Sequence, residues 1–172
     1  MKKKSDFLNK GVLLALILVV VDLIGGFAHL RFESWFKWIG TILMLILIIV
    51  FCIQYGKQRT EGVTFGSVFG YGFKVALVVS IIIMVYSLLS VYVIFPEYID
   101  QMLVQTRTSL EAKGGMTEEQ IDGAVAMTKK FTTPPMIAIF SLLGTLFFGT
   151  LSALLGAAFT KKSEPNIFQD NP

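Results

Sequence analysis

The stretch Val75–Phe95, VALVVSIIIMVYSLLSVYVIF, carries no charged residue and is long enough to cross a bilayer. A hydrocarbon core ~30 Å thick needs about 20 helical residues at ~1.5 Å each, and buried helices of soluble proteins are usually shorter. Three more apolar stretches of this kind occupy Gly11–Leu30, Trp38–Tyr55 and Pro135–Thr160, and the last is also free of charge. Of the 172 residues 54% are apolar and 16% charged, with a mean hydropathy of +0.69. Soluble domains lie outside that range. The pattern predicts an all-α membrane protein, one domain over 1–172, with four transmembrane helices. An extracytoplasmic helical hairpin at 96–134 is expected between the third and fourth.

The net charge of +3 matters less than its distribution. Lys2, Lys3, Lys4 and Lys10 precede the first span, Lys57, Arg59 and Lys74 flank the connection between the second and third, and Lys161 and Lys162 follow the fourth. Alternating spans put all three groups on one side. By the positive-inside rule that side is the cytoplasm, with both termini in it. The basic residues then set topology and touch anionic headgroups; a nucleic-acid partner is not expected. The first span is read as a helix of the mature protein rather than a signal peptide, because it is long for an h-region and carries Asp22. Cys52 has no second thiol to pair with and reads as a small apolar filler near the cytoplasmic end of the second span.

Trp35 and Trp38 fall at the start of the second span, where an aromatic belt anchors a helix at the water–lipid boundary. In the hairpin, Ile99, Met102, Leu103, Thr106 and Leu110 recur at helical spacing until Gly114-Gly115. Thr117 with Gln120 three positions on forms a capping box for a second helix, whose less polar face is Ile121, Ala124, Val125 and Thr128. The hairpin is expected to lean on the outer ends of spans three and four.

Asp22 is the sharpest candidate for function, as the one formally charged residue well inside a span. A central Asp costs ~2.5–3.5 kcal/mol on insertion scales while each Leu, Ile, Val or Phe returns ~0.3–0.6, so the helix still inserts but the carboxyl needs a partner. Counting inward from the outer ends puts Ser87 and Thr145 at similar depth, with Tyr86 adjacent, and a protonated Asp22 bonded to one of these is the expectation. A proton or cation relay through Asp22 is the functional alternative. Lys74 lies too near the cytoplasmic face to pair with it.

Thr145, Gly149, Ser152 and Gly156 share one face of span four, and Gly66 and Gly70 make a GxxxG step entering span three. Small residues let helix backbones approach closely in lipid, so both are read as helix-packing surfaces, within the bundle or between copies. The run 66–72 lacks the Gly-Lys-Ser/Thr ending of a phosphate loop. Glu118, Glu119 and Asp122 are explained by the helix dipole rather than as a cation site. His29 is the only histidine, which leaves no histidine-based metal centre or triad. No cofactor is expected.

Residues 62–66 (GVTFG) leading into Phe73-Lys74, then Phe95-Pro96-Glu97-Tyr98, then 115–121 (GMTEEQI), 131–134 (FTTP) and a small-residue span four ending in Lys161-Lys162 form an ordered set. In these the chain resembles an uncharacterised family of four-span membrane proteins of Bacteroidota, known as a domain of unknown function. The resemblance covers about 110 residues from span three onward. It implies a bacterial inner-membrane location and transfers no activity; Asp22 lies outside it.

The sequence therefore favours a non-enzymatic inner-membrane protein. It is read as a structural or accessory subunit that packs with itself or a larger membrane complex through its small-residue faces and outer hairpin. A small ion- or proton-coupled transporter using Asp22 is the alternative. A cavity reaching Asp22 would favour the transporter, and a dry bundle the structural role. An enzyme is the third reading, since no nucleophile–base pair or metal cluster is visible.

Overall fold

The computed structural model describes residues 6–59 and 63–160, and Lys2, Lys3, Lys4, Gly62, Lys161 and Lys162 lie outside them. Six α-helices and no strand make up the described chain: α1 (Asp6–Phe27), α2 (Phe36–Lys57), α3 (Phe65–Leu89), α4 (Tyr98–Lys113), α5 (Glu118–Phe131) and α6 (Pro134–Phe159). A π turn over Ser90–Ile94 continues α3. Four of these helices, α3 counted with its π turn, are long and apolar enough to cross a bilayer, which makes this a multi-pass membrane protein. They stand as an up-and-down bundle. One end holds Asp6, Lys57, Phe65 and Thr160 (the termini end), and the other carries the α4–α5 hairpin (the hairpin end).

Helix α3 begins ten residues before its apolar stretch. The Thr64 side chain accepts from the Ser67 backbone N–H, capping a helix that hydropathy sees only after Lys74. With the π turn it runs 30 residues, about 45 Å at ~1.5 Å per residue, half as long again as the hydrocarbon core. It is the central element, packed most extensively on α6 and also against α1 and α2, while α6 also packs on α2.

The tight packing belongs to the termini half. Leu14, Ala15, Ile48, Cys52, Val75, Ala76, Val79 and Ala153 are fully buried there. Gly149 sits where a Cβ would meet the Ala76 methyl at 2.6 Å, and at Gly156 one would meet the Cys52 Cβ at 2.6 Å. Ser152 between them is buried and donates to the Phe148 carbonyl, so its hydroxyl brings no unsatisfied donor into the core. Cys52 is wedged between Gly72 and Gly156. A polar layer closes this end: Tyr71 donates to Asp6 at 2.7 Å, Lys10 donates to Gln54 at 3.2 Å, and Tyr55 stacks on Tyr71 at 4.1 Å.

Two packing expectations are corrected. Gly66 and Gly70 meet no other helix: a Cβ at either would find nothing within 4 Å. Thr145 does not join the packed face formed by Gly149, Ser152 and Gly156; it lines a cavity one turn nearer the hairpin end.

The hairpin holds itself together. Thr117 and Gln120 form the capping box, and Gly114 and Gly115, with φ of 66° and 81°, turn the chain between the helices. Arg107 donates to Glu111, Asp122 and Glu118 at 2.9, 2.8 and 3.0 Å, which ties α4 to the start of α5. Those three hydrogen bonds hold the guanidinium above its usual pKa. The hairpin makes no extensive contact with α3 or α6. Its first helix meets the α1–α2 connection instead, where Phe32 stacks on Tyr98 at 5.9 Å.

Candidate functional site

The site begins with how α1 ends. His29 has a φ of 56°, Leu30 N–H donates to the Gly25 carbonyl at 2.9 Å, and His29 N–H donates to Gly26 at 3.3 Å. This is a Schellman turn with histidine in the left-handed position that glycine usually takes. It folds the chain back over the last turns of α1, so that Arg31 reaches a carboxylate nine positions earlier in sequence.

That carboxylate is Asp22, five residues before the end of α1. Arg31 Nε donates to Asp22 Oδ1 at 3.1 Å and Arg31 Nη2 to Oδ2, a two-pronged ion pair. Tyr86 of α3 donates its hydroxyl to Oδ2 at 2.7 Å, and Arg31 Nη2 also donates to Ser90 Oγ at 3.2 Å. The guanidinium lies over the Phe95 ring at 4.3 Å and near the Tyr98 ring at 5.0 Å. Burial pushes the Tyr98 hydroxyl up, and the Arg31 charge beside it opposes that shift.

The π turn positions the Arg31 partners. Phe95 N–H donates to the Ser90 carbonyl at 2.7 Å, a bond one residue longer than in an α-helix. Ser90 and Val91 are buried, and Pro96 stops the helix immediately after. Ser90 and Phe95, the two ends of that bond, receive Arg31 through a hydrogen bond and a cation–π contact.

Of the expected partners of Asp22, Tyr86 is bonded to it, whereas Ser87 and Thr145 are not. Ser87 donates to the Met84 carbonyl at 2.7 Å and shares a hydrogen bond with Ser141 at 3.2 Å. Thr145 makes no hydrogen bond to Asp22. An arginine beyond the end of the helix satisfies the carboxyl better than a hydroxyl inside the bundle, because it supplies two donors and a balancing charge.

Asp22, Ser87 and Thr145 nevertheless line one cavity, of about 490 Å³. It lies in the hairpin half of the bundle among α1, α2, α3 and α6. Helices α2 and α6 meet closely at Gly156, beside Cys52 and Ile49, and separate toward the hairpin end. There Gly40 of α2 and Gly144 of α6 border the cavity with nothing within 4 Å of where a Cβ would stand. Apolar and aromatic groups such as Leu18, Met44, Phe140 and Phe148 form most of the wall; the polar groups are Asp22, Arg31, Lys37, Thr41, Tyr86 and a few hydroxyls. Size and lining match those of small-molecule sites, ~300–1,000 Å³ of mostly apolar surface with few converging polar groups.

Reading the sequence alone misses Arg31, Lys37 and Tyr98. Their one signal is proximity to Asp22 at the same end of the bundle. Among the described residues no three His, Cys, Asp or Glu converge as metal ligands. Glu118 and Asp122 of the acidic trio are drawn to Arg107.

No curated protein matches the chain, and no solved structure does. A family model does match, over residues 9–162, spanning all four long helices and the hairpin. The chain thus belongs to the family described as protein of unknown function (DUF4199).

Proposed function

We propose that this is a multi-pass protein of a bacterial inner membrane, both termini cytoplasmic, that holds a small molecule between its helices as a non-enzymatic accessory subunit. The orientation rests on the basic residues Lys10, Lys57, Arg59 and Lys74 gathered at the termini end. The binding role rests on one observation: a cavity of about 490 Å³ reaches Asp22 from the hairpin end and stops against the packed termini half. A chamber closed below by fully buried side chains suits holding a ligand rather than passing it through. Asp22, already bonded to Arg31 and Tyr86, is not a free general base.

Purification of the full chain in a mild detergent, followed by native mass spectrometry, tests the binding role. The wild type should retain a co-purifying small molecule that Gly144→Phe, whose ring intrudes on the chamber, holds less well. Equal loading of the two proteins would remove the chamber from consideration.

The cavity's reach to Asp22 also supports the rival, a proton- or ion-coupled transporter. In that case proteoliposomes would show a flux that Asp22→Asn abolishes.

A further inference from the structure

A second cavity, of about 450 Å³, lies beneath the hairpin between α4 and the α1–α2 connection, and Arg31, Lys37 and Tyr98 line both it and the chamber. The two spaces differ in chemistry. The lining of the second includes Arg31, Lys37 and Lys113 with Gln105, Thr106 and Ser109, and no carboxylate. Asp22 balances Arg31, whereas Lys37 and Lys113 have no ion-pair partner among the described residues. The Ser109 hydroxyl and Gln105 amide likewise donate to no protein group among those residues. The cleft is thus a cluster of positive charge with free donors that adjoins a mostly apolar chamber, with Arg31, Lys37 and Tyr98 as the wall they share.

The level of that shared wall in the membrane is marked independently. Lys37 lies between Trp35 and Trp38, both exposed at the start of α2, and exposed tryptophans sit at the headgroup boundary. The Met44 floor is seven residues further along α2, about 10 Å deeper at ~1.5 Å per residue. The cationic cleft is at headgroup level and the apolar chamber at acyl level.

Building on the binding role proposed above, we infer that the ligand is an anionic amphiphile, its phosphate or carboxylate head held by Lys37 and Lys113 in the cleft and its alkyl chain lying in the chamber. Charge decides the head: two unpaired ammonium groups and free donors favour an anion over a neutral or zwitterionic group. Area decides the tail, because each methylene taken from water tightens binding about fourfold until the chamber is filled.

The test uses the full-length protein in zwitterionic nanodiscs, with binding read by native mass spectrometry at sub-micellar ligand. Probes are hexyl, octyl and decyl phosphate, decyl phosphocholine and inorganic phosphate. Decyl phosphate should bind about tenfold more tightly than decyl phosphocholine, the effect of two partly exposed ion pairs. Lys37→Gln with Lys113→Gln should erase that preference while leaving chain-length dependence. Gly144→Phe should flatten the chain-length dependence while leaving the charge preference. Equal affinity for phosphate and phosphocholine, or no effect of the lysine variants, would overturn the anionic head and leave the chamber's binding role standing. Inorganic phosphate binding as tightly as decyl phosphate would overturn the amphiphile. Absence of any chain-length dependence that Gly144→Phe alters would overturn both.

Discussion

At the scale of single residues, the decisive event is the encounter of Asp22 with Arg31. Neither is stable near the membrane without the other: a lone carboxylate or guanidinium keeps its desolvation cost and loses its balancing charge. Arg31→Gln should therefore lower stability by about 2–3 kcal/mol, less than for a fully enclosed pair because 37% of the Asp22 side chain stays accessible. Asp22→Asn should cost less, since the amide oxygen still accepts from Tyr86. The double variant should be more stable than Arg31→Gln alone. Thermal unfolding in detergent measures all three, and additive losses would mean that the pair is not coupled. His29 supplies the turn that makes the encounter, at a backbone angle costing a non-glycine residue ~1–2 kcal/mol. His29→Gly should accordingly unfold at a higher temperature than the wild type, with the Arg31 contacts intact.

Among the helices, one residue type plays opposite parts on the same element. Gly149 and Gly156 let α6 approach α3 and α2, whereas Gly144 borders the chamber with open space before it. A leucine at 156 has to force α2 away at Cys52, an overpacking that costs about 1–3 kcal/mol. A leucine at 144 has room. The melting temperature of Gly156→Leu should fall clearly while that of Gly144→Leu stays within a degree or two of the wild type. Equal effects of both would mean that α2 and α6 do not diverge as described.

For the whole molecule, four apolar helices support the proposed topology of four crossings with both termini on one side. Reporter fusions after Pro172 and within 113–115 should report opposite sides of the membrane, the first cytoplasmic. Most of this architecture is legible in the sequence, because hydropathy and caps are local. Val75–Phe95 names itself a span, and Thr117 with Gln120 names a helix start. The site is legible only by half. Asp22 stands out as a charge among apolar residues, but Arg31 reaches it through a left-handed histidine that no periodicity signals. The chamber is harder still, since it arises where Gly40 and Gly144 fail to meet anything, and in sequence they look the same as the glycines that pack. Gly66 and Gly70 illustrate the converse, a motif of close approach with nothing approached.

The π turn at Ser90–Ile94 bears on how the family can vary in length. It contains one residue more than an α-helical turn covering the same stretch of axis. Losing that residue would let α3 close as an ordinary helix and leave the hairpin after Pro96 in place. Losing one anywhere else in α3 would swing every later side chain about 100° around the helix. Single-residue gaps between relatives should therefore collect at 90–94.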